Sequence, residues 1–168
     1  MKLLIIFFLI LELVSSNEHR LLLTGFTKHE TPKRPNGQTW NEFNYGGGYE
    51  YSTFKEYGKL YYSSNVTILE DSFNYKQYTL SSAPSVRYKL SENFTGSIGL
   101  AFFVMRKKET YLKHTVGDPI DYGIIPGAAP IAILSYKKFT MNLAYVPSIS
   151  AGNIHSIGFA ILFFGWTL

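Results

Sequence analysis

Bulky apolar side chains alternate with small or polar ones over most of this chain, and short clusters of turn-forming residues interrupt the alternation. A two-residue period is typical of β-strands, and no helical period is found from residue 20 onward. The clearest cases are residues 95–105, 139–146 and 154–166. In the last of them the bulky face is Ile157, Phe159, Ile161 and Phe163, and the small face includes Ser156, Gly158 and Ala160.

The small faces of these segments consist of Gly, Ala, Ser, Thr and Asn, with hardly any charge. A soluble sheet would turn charged residues toward water. We therefore expect the bulky side chains to face lipid and the small ones to face the interior of the fold.

Eight candidate strands can be counted, the three above and five less regular ones. They span residues 20–29, 43–53, 59–69, 75–90, 95–105, 126–136, 139–146 and 154–166. An even number of strands closes an up-and-down barrel with both termini on one side, and closure leaves no unpaired strand edge in a medium without water. The sequence therefore predicts an all-β fold, an eight-stranded antiparallel up-and-down transmembrane β-barrel of the outer-membrane type.

The connections between these segments differ in length. Those at residues 53–57, 90–93 and 136–139 are tight, whereas residues 30–41 and 106–123 are long and polar. Barrels of this type have short turns on the periplasmic side and longer loops outside the cell. We expect the two long connections to face the cell exterior.

The N-terminus begins with a positive charge, continues with an apolar run and ends with small residues that suit a cleavage site. Met1-Lys2 is followed by an apolar run over residues 3–14, broken only by Glu12, and then by Ser15-Ser16. This order is typical of a secretory signal peptide. The run is too short to cross a bilayer as a helix, which takes about 20 residues. We expect a signal peptide over residues 1–16, a barrel domain over residues 17–168 and an outer-membrane location.

The composition favours a membrane barrel over most soluble classes. Aromatic residues make up 17% of the chain and charged residues also 17%, and there is no cysteine. Soluble domains have about 25% charged residues, whereas membrane barrels need aromatic girdles and few charges on the lipid face. The alternative is an aromatic-rich secreted β-sandwich. No metal cluster, phosphate-binding loop or basic nucleic-acid stripe is found, so we expect no metal, no cofactor and no nucleic-acid partner.

Three residues could carry chemistry at the outer end of the predicted barrel. His29 closes the first segment just before the first long connection, and Asp71-Ser72 follows the third segment, which runs in the same direction. A hydroxyl, a histidine base and an orienting carboxylate are a minimal set for acyl transfer. Asp-Ser is also ordinary turn chemistry, and a lone histidine is often structural. Both interpretations stay open from the spacing alone.

Three further motifs carry a family resemblance. Residues 44–49 read Asn-Tyr-Gly-Gly-Gly-Tyr, residues 69–74 read Leu-Glu-Asp-Ser-Phe-Asn, and residues 125–132 read Ile-Pro-Gly-Ala-Ala-Pro-Ile-Ala. The last run continues to Tyr136 and is followed by Ala-Tyr-Val-Pro at residues 144–147. In order and spacing, from about residue 44 to the C-terminus, these motifs resemble the lipid A palmitoyltransferases, the PagP family.

The resemblance implies an acyltransferase with two lipid partners. In that family the barrel interior holds a phospholipid acyl chain, and the outer rim transfers a palmitoyl group from the phospholipid donor to lipid A. The family's histidine, aspartate and serine would correspond to His29, Asp71 and Ser72. We expect a monomer. The family's N-terminal amphipathic helix is missing or rudimentary here, because only residues 17–20 separate the expected cleavage site from the first strand.

The resemblance also indicates an acyl-chain slot and a route into it. In the family a glycine deep in the fourth strand sets the acyl-chain length, and the nearby positions here are Ser82 and Ala83. Small side chains expected to point inward would line the slot, namely Gly99, Ala101, Gly158 and Ala160. Prolines lack a backbone donor and weaken a strand ladder, so a lateral gate is expected at Pro126, Pro130 and Pro147.

Two other functions remain as alternatives. A small non-catalytic barrel could bind partners through its loops or aid resistance to host defences. A lipid A deacylase would also be a small barrel, with a histidine, a serine and an acid near the C-terminal strands. Here that region offers His155 and Ser156, and no acid follows Asp121. Lipid A that gains an acyl group supports transfer, lipid A that loses one supports deacylation, and unchanged lipid A favours the binding protein.

Overall fold

The regular structure of the described residues is entirely β. A computed structural model describes residues 16–34, 37–55, 59–109, 120–151, 154–156 and 158–168. Within these ranges no helix is long and apolar enough to cross a membrane. All but the last residue of the expected signal peptide lies outside the described residues.

The described residues form ten strands. They are β1 (Ser16–His29), β2 (Phe43–Lys55), β3 (Leu60–Glu70), β4 (Lys76–Lys89), β5 (Phe94–Glu109), β6 (Ile120–Tyr136), β7 (Phe139–Val146), β8 (Ile149–Ala151), β9 (Ile154–Ser156) and β10 (Phe159–Thr167). Eight of them close an antiparallel barrel in the order β1-β10-β7-β6-β5-β4-β3-β2. The predicted eight-stranded barrel is confirmed. Within the described part of the chain, strands β8 and β9 pair with each other in a two-stranded antiparallel sheet apart from the barrel, called here the separate hairpin.

The last barrel strand differs from its prediction in extent and in facing. Residues 154–156 belong to the separate hairpin, so the barrel strand begins at Phe159. Phe163 lies opposite buried Asn142, and Ile161 lies opposite buried Thr27, so these bulky side chains face inward. The expectation that they face lipid is wrong. Both faces of this strand are apolar, so the alternation could not choose between them, and register with the neighbouring strands decided.

The predicted facing is confirmed where one face is small or polar. In β5 the side chains of Ile98 and Phe102 are exposed on the outside, whereas Ser97 and Ala101 are buried. The same division holds along β7. The outer surface of the barrel is a broad apolar belt, as a lipid-facing surface requires.

The two rims of the barrel differ. At one rim, called here the turn rim, β1 begins, β2 ends and β3 begins, and tight turns follow β4 and β6, the second of them only Lys137-Lys138. At the other, called the loop rim, β1 ends at His29 and residues 30–42 connect it to β2. The β3–β4 connection, residues 71–75, also lies at the loop rim. The expected long connection between β5 and β6 lies largely outside the described residues.

A charged cluster fills part of the interior toward the turn rim. Arg20 and Glu50 are each only 1% exposed, and Arg20 Nη1 donates to Glu50 Oε1 at 2.6 Å. Arg20 also donates to the Tyr61 hydroxyl and to Glu18. The guanidinium of Arg87 lies 3.7 Å from the centre of the Tyr61 ring. These contacts join β1, β2, β3 and β4 across the interior.

Removing one partner of this buried pair is expected to destabilise the barrel. Arg20→Met leaves the Glu50 carboxylate without its cation, and such a loss costs about 3 kcal/mol or more. The double variant Arg20→Met/Glu50→Gln removes both charges and should recover much of the lost stability. Urea unfolding in detergent, followed by the fraction that migrates as folded barrel on an unheated gel, measures both. A double variant no more stable than the single one would contradict the pairing argument.

Candidate active site

The histidine at the end of β1 faces the mouth of the barrel. Strand alternation places His29 on the same side as buried Thr27, and its partner across the ladder is Phe159 of β10. The His29 and Phe159 ring centres lie 5.8 Å apart. His29 Nδ1 is buried. The ring therefore sits at the inner edge of the loop rim.

A tryptophan from the first loop covers this histidine. The rings of His29 and Trp40 are stacked almost parallel, with centres 3.8 Å apart and an interplanar angle of 5°. Trp40 Nε1 donates to the Thr31 carbonyl at 2.9 Å, which fixes the indole in the loop. Trp40 also contacts Phe73, whose ring meets it edge to face with ring centres 5.4 Å apart. Trp40 thus joins His29 to the β3–β4 connection.

Asp71 builds the turn that presents Ser72. Its Oδ1 accepts hydrogen bonds from the backbone amides of Phe73 and Tyr75, both at 2.9 Å. The Asp71 amide donates to the Tyr75 carbonyl at 2.8 Å, and Asn74 takes a left-handed φ of 66°. This is the side-chain capping by which aspartate stabilises turns. Asp71 and Ser72 are both 7% exposed.

Arg34 fastens the first loop to this turn. Arg34 Nη2 and the Asn41 amide both donate to the Ser72 carbonyl. The guanidinium carbon lies 5.0 Å from the centre of the Phe73 ring and 5.6 Å from that of Trp40. Burial against these rings lowers the pKa of Arg34, and the nearby Asp71 carboxylate opposes this shift. The arginine stays charged and holds the loop in place.

The strands below the site are tied by a polar chain. The Thr27 hydroxyl donates to Asn44 Oδ1, and Asn44 Nδ2 donates to the Glu70 carbonyl at 3.0 Å. These bonds link β1, β2 and β3 just under His29 and the Asp71 turn. The supporting strands therefore fix the relative positions of the two segments.

The three residues predicted for catalysis lie in one cluster at the loop rim, joined through Trp40 and Phe73. Sequence reasoning missed Trp40, Arg34 and Phe73. Trp40 is one of only two tryptophans and stands alone in a polar segment, which was an available signal. Nothing in the sequence indicated that Arg34 would contact Ser72. Among the described residues no cluster of His, Asp and Glu could hold a metal ion.

The predicted slot residues divide into two sets. Ala83 and Ala101 are buried inside on neighbouring strands, 2% and 6% exposed, and Gly99 pairs with buried Ser85 on the same face. Buried Ala129 of β6 pairs with Ala101 and extends this small-residue surface. Ala129 was not among the predicted slot residues.

The other three are corrections to the predicted slot. Ser82 faces outward, because it pairs with exposed Phe102. Ala160 also faces outward, opposite exposed Tyr145. Gly158 lies before β10 at the loop rim, where its carbonyl accepts from the Glu30 amide at 2.9 Å. Ser82 faces outward because it directly precedes the inward Ala83, and neighbouring residues of a strand face opposite sides. Ala160 faces outward because the inward positions of β10 are those of Ile161 and Phe163.

The predicted gate prolines lie where one ladder stops. The β6–β7 ladder runs only from Tyr136 opposite Phe139 to Ile131 opposite Ala144. Beyond Ile131, toward the loop rim, the described residues of β6 pair with β5 alone, and Pro126 and Pro130 lie in this part of β6. Pro147 directly follows β7 on the facing side. His155 is in β9, in the separate hairpin.

Comparisons with known proteins identify a family and a fold. The family model described as "Antimicrobial peptide resistance and lipid A acylation protein PagP" matches residues 10–161. No curated protein matches the chain. The crystal structure of Neisserial surface protein A is similar with a TM-score of 0.55 and 11% identity, covering 92% of this chain and 98% of that one. The outer membrane protein Ail of Yersinia pestis, in a nanodisc, gives 0.46 and 12%, covering 91% and 100%. At such identities the likeness shows the fold alone.

The turn role of Asp71 predicts a difference between two substitutions. Asp71→Asn keeps an Oδ1 acceptor, whereas Asp71→Ala loses both side-chain bonds to the amides of Phe73 and Tyr75, at about 1 kcal/mol each. Hydrogen exchange of the segment spanning residues 71–75 should be markedly faster in the alanine variant and close to native in the asparagine variant. Equal exchange in all three proteins would show that these bonds do not hold the turn.

Proposed function

The chain belongs to the PagP family of antimicrobial peptide resistance and lipid A acylation proteins, and we propose that it is an outer-membrane acyltransferase that moves a palmitoyl or similar chain from a phospholipid to lipid A. The observation that carries the proposal is the cluster at the loop rim, where Trp40 joins His29 to the turn of Asp71 and Ser72. A membrane location is supported by the apolar belt and the closed ladder, which suits a medium without water.

In the proposed reaction His29 is the general base. It takes the proton of an attacking hydroxyl, whose oxygen forms a bond to the ester carbonyl carbon of the donor phospholipid. The ester bond then breaks, and the leaving lysophospholipid oxygen takes the proton from His29. The attacking hydroxyl is that of lipid A if transfer is direct, with Ser72 donating to the carbonyl oxygen. If Ser72 attacks first, the acyl group passes through a serine ester.

Asp71 is proposed to act by position. Its Oδ1 is occupied by two backbone amides of the turn. It therefore orients Ser72 and places a negative charge near Arg34 without taking the proton itself. This role agrees with the pattern in which a carboxylate orients the catalytic groups.

The donor acyl chain is proposed to lie against the small side chains of β4, β5 and β6. Ala83, Gly99 and Ala101 face inward there. Lipid would enter sideways between β6 and β7, beyond the end of their ladder at Ile131. Pro126, Pro130 and Pro147 border that gap and cannot donate the hydrogen bonds that would close it. The donor is a phospholipid, the acceptor is lipid A, and the barrel acts as a monomer.

Mass spectrometry of lipid A from cells with and without the chain tests the activity. We expect one added acyl group with the native protein and none with His29→Ala or Ser72→Ala. Losing a positioned base lowers the rate by about 10²–10⁴. Both variants should still shift on unheated gels, because His29 lies at the last position of the β1–β10 ladder and Ser72 lies outside the strands, so the rest of the ladder is unaffected.

The outcomes separate the candidate functions. Lipid A that loses an acyl group would indicate deacylation, and unchanged lipid A would favour a barrel that binds partners through its loops. Near-native transfer by one alanine variant would remove that residue from the catalytic set. A variant that no longer shifts on the gel has lost its fold and shows only a structural role.

Acyl-chain length should respond to one position and not to its neighbour. Ala83→Met adds volume inside the barrel next to Ala101 and should shorten the transferred chain. Ser82→Met is the matched control, because Ser82 faces outward beside Phe102. The chain length added to lipid A is read from the mass difference. A shortened product with Ser82→Met, or an unchanged product with Ala83→Met, would place the slot elsewhere.

A further inference from the structure

The turn rim carries a ring of exposed lysines directly beside outward-facing aromatic side chains. The four lysines of this ring are exposed and lie in or next to the tight turns, and they are Lys59, Lys89, Lys137 and Lys138. Next to these lysines, the outer surface of the barrel carries four exposed aromatic residues, Tyr88, Tyr136, Phe139 and Trp166. On the described part of these turns the only acidic side chain is that of Glu92.

Two of these lysines occupy backbone positions that other residues would fill more easily. Lys59 has a φ of 57° and Lys137 a φ of 52°. The left-handed region favours Gly and Asn, and a side chain like lysine is disfavoured there by roughly 1 kcal/mol. A two-residue hairpin turn such as Lys137-Lys138 ordinarily takes Asn or Gly at such a position. The turn geometry therefore does not explain why lysine stands at these two places.

The side chains of the same two lysines are directed toward the lipid belt. Lys59 Nζ lies 5.3 Å from the centre of the Tyr88 ring, and Lys137 Nζ lies 5.5 Å from that of Tyr136. Each ammonium thus stands over a tyrosine at the level where the apolar belt ends. This arrangement matches the interface between acyl chains and head groups, where aromatic rings and long cationic side chains reside.

The backbone holds the ring of lysines in a fixed arrangement. The Lys59 carbonyl accepts from the Arg87 amide at 2.8 Å, the Lys137 amide donates to the Asn93 carbonyl at 3.0 Å, and the Lys138 carbonyl accepts from the Thr167 amide at 2.8 Å. Each bond connects a turn to a neighbouring turn or strand. The backbone of three of the four lysines is therefore bonded to a neighbouring turn or strand of the same rim.

We propose that the turn rim is a binding surface for the head groups of anionic glycerophospholipids, which Lys59, Lys89, Lys137 and Lys138 contact through their phosphates while the adjoining aromatic rings contact the upper acyl chains. Basic residues near an anionic membrane surface each contribute attraction that falls off within a Debye length. This proposal rests on the membrane location of the barrel and is independent of acyl transfer.

The other tryptophan of the chain gives a local probe. Trp166 lies on the outer surface at the turn rim and is 51% exposed, whereas Trp40 is buried at the loop rim. In a Trp40→Phe background, Trp166 is the only tryptophan, and its fluorescence is quenched by brominated lipids that contact it. Vesicles contain either brominated phosphatidylglycerol or brominated phosphatidylcholine at the same mole fraction. The quenching ratio gives the relative affinity of the turn rim for the anionic lipid.

We expect phosphatidylglycerol to quench more strongly, and the preference to weaken as salt is added. In Lys59→Asn/Lys137→Asn, which removes two charges and suits the left-handed backbone, the preference should fall by roughly fivefold for each lysine, the attraction of one basic residue at an anionic surface. Lys89→Gln/Lys138→Gln tests the remaining pair without touching either left-handed position. Lys28→Gln/Lys76→Gln at the loop rim removes the same charge and should leave Trp166 quenching unchanged.

Three outcomes would overturn the proposal. Equal quenching by the two lipids in the protein with all four lysines would show that the rim does not select anionic head groups. An unchanged preference in both turn-rim variants would show that the lysines do not carry it. An equal loss in the loop-rim control would assign the effect to net charge rather than to this surface. Lipid A analysis on the same proteins reports acyl transfer separately, so its loss or retention does not affect this result.

Discussion

The pairing of β1 with β10 is the constraint on which the remaining structure depends. It turns a meander of eight strands into a closed ladder, from Arg20 opposite Thr167 to His29 opposite Phe159. Closure gives every strand two neighbours, so the apolar belt can face a medium that offers no hydrogen bonds. It also fixes register. The pairing of Thr27 with Ile161 sends Ile161 and Phe163 inward, although both faces of that strand are apolar.

The interior of the closed barrel differs between its two ends. Toward the turn rim, Arg20, Glu50 and Tyr61 bind one another and occupy space with polar groups. Farther from the turn rim, neighbouring inward positions of β4, β5 and β6 carry small side chains, as at Ala83, Ala101 and Ala129. A buried ion pair contributes little net stability compared with apolar packing, but removing one of its two charges strongly destabilises the fold. The cluster therefore resists rearrangement of the strands that support the loop rim.

At the loop rim the candidate site is built largely by contacts outside the ladder. Trp40 stacks on His29, and Arg34 and the Asn41 amide hold the Ser72 carbonyl. A loop that would otherwise be free to move is thus attached to the β3–β4 turn at several points. Asp71 uses its carboxylate to shape that turn. The turn role and the proposed catalytic role of the Asp-Ser pair are therefore compatible, because the aspartate that forms the turn also positions the serine.

The amino-acid sequence by itself determined the class of the fold. Alternation with a period of two, clusters of turn residues and uncharged small faces specified eight antiparallel strands, and in β5 and β7, where the two faces differ in polarity, they also specified which face is buried. His29, Asp71 and Ser72 could be named because they end strands that run in the same direction.

Only the tertiary structure decided the facing of β10, the outward position of Ser82 and Ala160, and the part played by Trp40 and Arg34. The physical reason is the same in each case. Local alternation records the polarity of a strand's own two faces, whereas register and loop contacts are set by partners far away in the chain. Such partners leave no periodic trace in the sequence.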